Sequence, residues 1–252
     1  MNDLKDSLST MNLKGKNVLV TGGAKRVGRA ICLAFAARGA RVLIHCHRSR
    51  KEAVRLAKEL GRGPDTVFAA DLSKKAQCDR LAAAVVRKWG VVDVLVNNAS
   101  VFYATPLEKT SEKDWDLYNA VHVKAPFFLS RALAKGMKKK GEGRIVNLTE
   151  WMERRPSPTF LVYGVSKAAL VQLTQVLAKV LAPEVLVSAV CPGPVLAPDD
   201  FTPAQKRKLA ERIPLKRWGT PEDVAATVVF LAESDYITGS AHIVDGGHGL
   251  RS

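Results

Sequence analysis

The sequence NVLVTGGAKRVGRA, at residues 17–30, begins with a short apolar run and continues into a glycine-rich turn. A helical pattern of apolar residues follows from Ile31. A strand, a glycine-rich turn and a helix in this order allow backbone N–H groups and the helix N-terminus to face a phosphate. A tight connection without a ligand would give the same pattern, so both interpretations stay open at this point.

Cations follow the second predicted strand, residues 41–45, where an acidic residue would hydrogen-bond an unmodified adenine ribose. Arg48 and Ser49 offer a charge and a hydroxyl to a ribose 2′-phosphate, with His47 nearby. The pattern therefore favours NADPH over NADH. The alternative is that residues 48–51 only begin a solvated, basic helix.

Two more predicted strands, residues 66–72 and 92–96, end near polar residues, Asp71 and Asn98. Strands that alternate with helices of about ten or more residues indicate βαβ units and a parallel sheet. We predict an α/β fold with a single doubly wound, Rossmann-like parallel sheet and helices on both faces. The predicted domain covers residues 14–252 and follows a flexible arm at residues 1–13.

A pair of polar residues marks the predicted helix that follows a buried strand at residues 144–150. Tyr163 and Lys167 are four residues apart, so they share one helix face. A neighbouring ammonium lowers the pKa of a phenol from ~10, which makes Tyr163 a candidate general acid. Glu150 stands at the carboxyl end of the strand, where open α/β sheets bind ligands. A solvated helix face and a loop carboxylate are the alternatives.

Composition restricts the class of protein. The 252 residues are 47% hydrophobic, without an apolar run of about 18 residues or a signal-like beginning, so we expect a cytoplasmic, soluble protein with no membrane partner. The net charge of +15 is spread along the chain without a nucleic-acid motif, so we expect no nucleic-acid partner. The cysteines are widely spaced and predict neither a metal site nor disulfides: Cys32, Cys46, Cys78 and Cys191.

Several motifs, in order and spacing, resemble those of the short-chain dehydrogenase/reductase family from about residue 14 to the C-terminus. They are Thr21-Gly22 to Gly28, Asp71-Leu72, Asn97-Asn98-Ala99, Tyr163-x-x-x-Lys167, Cys191-Pro192-Gly193 and Val244-Asp245-Gly246-Gly247. The resemblance implies hydride transfer from a nicotinamide, with Tyr163 as proton donor and Lys167 tuning it and binding the nicotinamide ribose. It further implies a cofactor site that includes Gly22, Arg26, Val27, Asp71, Leu72, Asn98, Ala99, Ser100, Pro192, Gly193 and Val195.

Three residues depart from the general family pattern. Arg26 replaces the middle glycine of the turn, Glu150 replaces the catalytic serine, and His122 replaces an asparagine. An acid before the tyrosine, together with the residues around Arg26, Arg48 and Phe102, resembles the pteridine reductases, which reduce dihydropterins and in some members folates with NADPH. That acid is usually aspartate, so Glu150 is longer by one methylene group.

A pterin presents hydrogen-bond donors and a flat ring, so its site requires an acceptor, an aromatic face and a proton source. Glu150, Phe102 and Tyr163 supply these, and the resemblance places Ser100 and Arg26 against substrate or cofactor phosphate. Phe102 as a core aromatic is the alternative. A reductase of 3-oxoacyl thioesters or other carbonyl compounds, and a non-enzymatic NADP(H)-binding protein, remain alternative functions.

The C-terminal third predicts a cover and an interface. Residues 203–212 read as a short helix that closes over the site, and Thr220-Pro221 reads as the capped beginning of another helix. The last strand, residues 241–244, precedes a tail that in this family commonly packs between subunits. By resemblance we expect a homotetramer.

Overall fold

One parallel sheet of seven strands organises the domain. The computed structural model describes residues 10–150, 156–197 and 201–250. The strand order is β3-β2-β1-β4-β5-β6-β7, and every pair is parallel. This confirms the predicted doubly wound α/β fold. The strands are β1 (Asn17–Val20), β2 (Arg41–Cys46), β3 (Val67–Ala69), β4 (Val94–Asn97), β5 (Gly143–Leu148), β6 (Val185–Pro192) and β7 (Ala241–Val244).

Helices cover both faces of the sheet, which explains why its central strands are apolar on both sides. One core cluster joins Phe35 and Val228 to the strands, and a second contains Leu129 and Leu177. The helices are α1 (Arg26–Ala37), α2 (Arg50–Glu59), α3 (Lys75–Trp89), α4 (Glu112–Asn119), α5 (Ala125–Lys140), α6 (Leu161–Leu181), α7 (Pro203–Arg212) and α8 (Pro221–Glu233), with a π-helical turn (Ala120–Lys124) between α4 and α5.

The chain reverses its direction of winding between β1 and β4, which are neighbours in the sheet. A crevice opens beyond the carboxyl ends of the strands at such a switch point, and ligands of open α/β sheets bind there. The predicted site residues follow the ends of β1 to β6, so the topology brings them to one edge of the sheet.

Several element boundaries differ from the predictions. Residues 1–9 of the predicted arm lie outside the described residues, but Met11 and Leu13 are buried and belong to the folded domain. The third strand is shorter than predicted, because Pro64 opens a 3-10 turn that includes Thr66. The strand before the site ends at Leu148, which leaves Glu150 in the following loop.

Helix α6 is the one candidate membrane span among the residues that the structure describes, judged by length and composition. It packs into the core through Leu170 and Leu177, as the central helix of a globular domain does. All four cysteines are buried with free thiols.

Candidate active site

A tyrosine–carboxylate pair forms the centre of the site. Tyr163 Oη donates a hydrogen bond of 2.9 Å to Glu150 Oε2. Lys167 lies one helical turn beyond Tyr163, and its Nζ donates to the Leu148 carbonyl at 2.7 Å. Its Nζ is 5.7 Å from the centroid of the Tyr163 ring. The structure therefore brings the three predicted catalytic side chains together at the end of β5.

The electrostatics of this pair differ from the prediction. Burial raises the pKa of Tyr163 well above its ordinary value of 10.0, and the Glu150 carboxylate raises it further. Burial lowers the pKa of Lys167 to about 8, although Glu150 opposes the change. The predicted lowering of the Tyr163 pKa is wrong, because the phenol is buried and contacts the Glu150 carboxylate, while the Lys167 ammonium bonds a backbone carbonyl. Tyr163 stays protonated near neutral pH, as a proton donor must.

The glycine-rich turn leaves no room for side chains beside the N-terminus of α1. Gly22 has φ of +63°, in the region that favours glycine. A Cβ on Gly28 would lie 2.2 Å from the Gly22 carbonyl oxygen. Asn98 Nδ2 closes the turn by donating to the carbonyls of Thr21 and Gly22, at 2.9 and 3.2 Å. Such a turn fits a phosphate held by backbone N–H groups.

Arg26 occupies the position of the missing glycine and keeps the glycine conformation. Its φ is +52°, and its side chain is exposed at the beginning of α1. A left-handed conformation costs a non-glycine residue about 1–2 kcal/mol. Retained strain of this kind clusters at functional sites. The neighbouring Val27 is half-buried.

The predicted 2′-phosphate ligands lie together in the connection between β2 and α2. His47 and Arg48 are exposed, and Ser49 is half-buried immediately before α2. The Ser49 side chain makes no capping bond to that helix. The geometry thus leaves a cationic, hydroxyl-bearing corner at the edge of the crevice.

A buried histidine that sequence reasoning missed supports this corner. His45 Nδ1 accepts a hydrogen bond from the Gly22 N–H at 3.1 Å. Its Nε2–H therefore donates to the Ala70 carbonyl at 3.0 Å. Burial lowers the pKa of His45 to about 4, so the ring is neutral near pH 7. His45 joins the glycine-rich turn to the end of β3. In the sequence, the one indication of this role is that a polar residue stands inside an apolar strand.

Asp71 and Leu72 lie beyond β3, on the side where the resemblance places the adenine. Asp71 Oδ1 accepts hydrogen bonds from Ser73 N–H and Oγ–H at 2.9 and 2.7 Å. Burial acts to raise the pKa of Asp71, but the bonds from Ser73 and the charge of His47 lower it overall. The carboxylate is ionised and can accept a bond from an amino group. Leu72 is buried beside it.

An exposed aromatic ring lies beside Tyr163. Phe102 is 56% exposed, so its interpretation as a core aromatic is wrong. It stacks on Phe160 with ring centroids 4.5 Å apart and meets the Tyr163 ring edge-on at 4.9 Å. Phe160, which sequence reasoning missed, backs one face of Phe102. Ser100 is exposed nearby, and Ala99 is half-buried.

The end of β6 forms the opposite wall. The Gly193 N–H donates to the Val244 carbonyl at 2.9 Å. A Cβ on Gly193 would lie 2.4 Å from Asp245 Cβ, so only glycine fits. Pro192 ends β6, and Val195 is half-buried against the core.

Helix α7 is the predicted cover and forms where predicted. Thr202 and Gln205 make a capping box at its beginning, and none of its residues is buried. Trp218 Nε1 donates to the Lys206 carbonyl at 2.9 Å, which ties α7 to the segment before α8. Residues 198–200 of the predicted cover loop lie outside the described residues. The structure thus gives a solvent-facing helix that few contacts hold.

The fold and site together define the class: a dinucleotide-binding oxidoreductase. A family model described as enoyl-(acyl carrier protein) reductase matches residues 22–249. An uncharacterized oxidoreductase of Thermotoga maritima is 38% identical, with 94% of this chain and 98% of the relative aligned. The 3-oxoacyl-[acyl-carrier-protein] reductase FabG of the same organism is 36% identical, over 94% and 99%. The chain belongs to the short-chain dehydrogenase/reductase family.

Two solved structures match nearly the whole fold. FolM alternative dihydrofolate reductase 1 from Brucella canis, complexed with NADP, has a TM-score of 0.89 and 32% identity, over 96% of each chain. A blue fluorescent protein from a metagenomic library, in complex with NADPH, has a TM-score of 0.85 and 34% identity, over 94% of this chain and 99% of the other. The predicted nicotinamide cofactor is confirmed for the family, and both structures hold its phosphorylated form. No cluster of three potential metal ligands occurs within residues 10–150, 156–197 and 201–250.

Proposed function

We propose that this protein is an NADPH-dependent pteridine reductase, which transfers hydride to a dihydropterin or dihydrofolate. The hydrogen bond from Tyr163 to Glu150, beside the exposed ring of Phe102, carries the proposal. An ionised carboxylate only accepts hydrogen bonds, so Glu150 suits the amino and ring N–H donors of a pterin. It does not suit a carbonyl oxygen, which needs a donor.

The substrate lies, in this proposal, with one face on Phe102. Phe160 fixes the opposite face of that ring, so the platform is backed before substrate arrives. Offset or stacked aromatic contacts contribute about 0.5–1.5 kcal/mol beyond burial of their area. By the resemblance to the pteridine reductases, Ser100 and Arg26 would contact substrate or cofactor phosphate.

Tyr163 supplies the proton. Bound NADPH supplies the hydride, which reduces the carbon of a C=N bond while the nitrogen takes the proton. The raised pKa of Tyr163 keeps its proton in place until that nitrogen becomes basic. Lys167, with a pKa of about 8, is mostly an ammonium at pH 7 and would bind the nicotinamide ribose. Glu150 orients the phenol through their shared hydrogen bond.

The cofactor would be held by the turn and strand ends already described. Gly22, Val27 and the N-terminus of α1 would bind the pyrophosphate, and Asp71 would lie along the adenine. Arg48 would provide a charge and Ser49 a hydroxyl for a 2′-phosphate, with His47 nearby, and hence the preference for NADPH. The remaining predicted contacts are Leu72, Asn98, Ala99, Ser100, Pro192, Gly193 and Val195.

Relatives support two substrate classes. The structural likeness to a FolM alternative dihydrofolate reductase favours a pterin. The 36% identity to a 3-oxoacyl-[acyl-carrier-protein] reductase favours the alternative, a reductase of 3-oxoacyl thioesters. We also propose a cytoplasmic homotetramer; the four free, buried thiols suit a reducing compartment.

The test is NADPH oxidation by the purified protein with a 7,8-dihydropterin, 7,8-dihydrofolate or an acetoacetyl thioester. Turnover of either pterin at a higher kcat/KM than the thioester supports the proposal. Faster turnover of the thioester identifies a carbonyl reductase instead. Calorimetric NADPH binding without turnover of any substrate would identify a non-enzymatic NADP(H)-binding protein.

A further inference from the structure

We infer that Tyr118 and His122 are positioning residues that fix Phe102, the aromatic platform for the substrate; the inference rests on the proposed function. Tyr118 lies in the last turn of α4, and His122 lies in the π-helical turn that follows. Both are buried, at 0% and 1% exposure. Both hold backbone of the exposed segment at residues 100–103, which carries Phe102.

Tyr118 holds the residue that follows Phe102. The Tyr103 N–H donates to Tyr118 Oη at 2.7 Å. The same hydroxyl donates its proton to the Tyr103 carbonyl, also at 2.7 Å. One phenol thus satisfies both backbone groups of a single residue, which leaves that residue little freedom to rotate.

His122 holds the residue that precedes Phe102. The Val101 N–H donates to His122 Nε2 at 3.2 Å, so that nitrogen carries no proton. Nδ1–H therefore donates to Ser166 Oγ at 2.8 Å. Ser166 Oγ–H in turn donates to the Tyr163 carbonyl at 2.8 Å. The imidazole connects the platform segment directly to the helical turn that carries the proton donor.

The two contacts flank Phe102 in sequence, so they determine where its ring stands relative to Tyr163. His122 also presents its ring edge-on to Tyr163, with centroids 5.5 Å apart. Burial, together with the charge of Lys167, holds the pKa of His122 well below 6.5, so the neutral ring that this arrangement requires persists at neutral pH. π-helical turns often occur at functional sites. Phe102 itself is exposed, and His122 Nε2 also accepts a hydrogen bond from Ser100 Oγ at 2.9 Å, so the histidine holds both residues that precede Phe102.

A double-mutant cycle tests the inference. Tyr118→Phe removes only the hydroxyl, and Phe102→Ala removes the platform. We expect Tyr118→Phe to raise the KM for a 7,8-dihydropterin about tenfold, while the Kd for NADPH changes less than about twofold. In the Phe102→Ala background, the same change should alter KM less than about twofold, since the platform is gone. Tyr236→Phe, at a side chain 98% exposed, is the matched control.

Equal KM factors for Tyr118→Phe in both backgrounds would overturn the inference alone. Absence of dihydropterin turnover by the wild-type protein would overturn the proposed function, and the inference with it.

The role of His122 is tested by two further variants. His122→Phe keeps the ring volume, and His122→Asn restores a hydrogen-bond donor and an acceptor. We expect His122→Asn to recover at least about half of the logarithmic KM loss of His122→Phe. Equal KM values for the two variants would contradict the hydrogen-bonding role.

Discussion

Tyr163 and its two charged neighbours show why residue types alone did not predict the direction in which the pKa of Tyr163 is shifted. The spacing of Tyr163 and Lys167 indicated a pair on one helix face, and they are such a pair. The spacing did not reveal that Lys167 bonds the Leu148 carbonyl or that Glu150 reaches the phenol. The sign of the Tyr163 pKa shift depends first on the burial of the phenol and then on its contact with Glu150, and residue spacing specifies neither of them.

Arg26 provides a test of the strain at the glycine-rich turn. Arg26→Gly should stabilise the fold by roughly 0.5–1 kcal/mol, because relief of the left-handed strain exceeds the added entropy of the unfolded chain. The variant should also bind NADPH more weakly, because it loses the cation. Urea unfolding and calorimetric titration measure the two effects.

The matched control is Lys216→Gly. Lys216 also has a positive φ, +55°, but lies outside the proposed site. It should give a similar gain in the free energy of unfolding without any loss of NADPH affinity. Destabilisation by Arg26→Gly would show that the left-handed conformation at residue 26 is not strained.

At the scale of elements, the strands and helices around the site were largely predictable, and their junctions were not. Periodicity predicted β1 and β7 with the bounds that the structure has, and the capped beginning of α8. The π-helical turn that positions His122 leaves no periodic signal, since a single wide turn does not disturb an apolar helix pattern. The two hydrogen bonds of His45 join β2 to the glycine-rich turn and to the end of β3, so they depend on contacts between segments that are far apart in sequence.

His45 links β2 to the glycine-rich turn only as a neutral ring, which gives a pH dependence. Its pKa is lowered from 6.5 to about 4, so the unfolded chain takes up a proton before the folded one. Stability from this group is full above pH 6.5 and is lost as pH falls toward 4. The loss between pH 7 and pH 5 is about 2 kcal/mol.

Urea unfolding at these two pH values checks the prediction. His45→Gln keeps an acceptor and a donor but cannot titrate, so it should lose about 2 kcal/mol less than the wild type between pH 7 and pH 5. His47→Gln, at an exposed residue on the same connection, is the control, and its loss between pH 7 and pH 5 should be closer to that of the wild type than to that of His45→Gln. Identical pH dependence in His45→Gln and the wild type would show that His45 does not titrate as described.

The connection between β2 and α2 determines the choice of cofactor in this account. Arg48→Ala combined with Ser49→Ala should raise the Kd for NADPH about tenfold or more and leave that for NADH nearly unchanged. The reason is that only NADPH carries the 2′-phosphate. Arg62→Ala, at an exposed arginine beyond α2, controls for loss of positive charge. Equal weakening of both cofactors would remove the basis for an NADPH preference.

At the scale of the whole molecule, the class and topology followed from the order of strands and helices, whereas assembly did not. Helix α6 carries three exposed valines on one face, Val165, Val176 and Val180, with exposures of 46%, 48% and 63%. Exposed apolar faces of this kind mark interfaces between subunits.

The proposed homotetramer should have a mass of about 110 kDa by light scattering after gel filtration, four times the 27.4 kDa of one chain. Val180→Lys should lower this mass, because it places a charge on the apolar face of α6. Tyr236→Lys, at an exposed residue outside α6, should leave it unchanged. A wild-type mass near 27 kDa would contradict the tetramer.

Substitution of Glu150 tests the central claim most directly, since that residue separates a pterin site from a carbonyl site. The measurement is kcat/KM for a 7,8-dihydropterin and for an acetoacetyl thioester, in the wild type and in Glu150→Ala, Glu150→Asp and Glu150→Ser. We expect the pterin value to fall at least about a hundredfold in Glu150→Ala, to survive in Glu150→Asp, and the thioester value to rise in Glu150→Ser. Pterin turnover that persists in Glu150→Ala, or that the wild type lacks, would contradict the account.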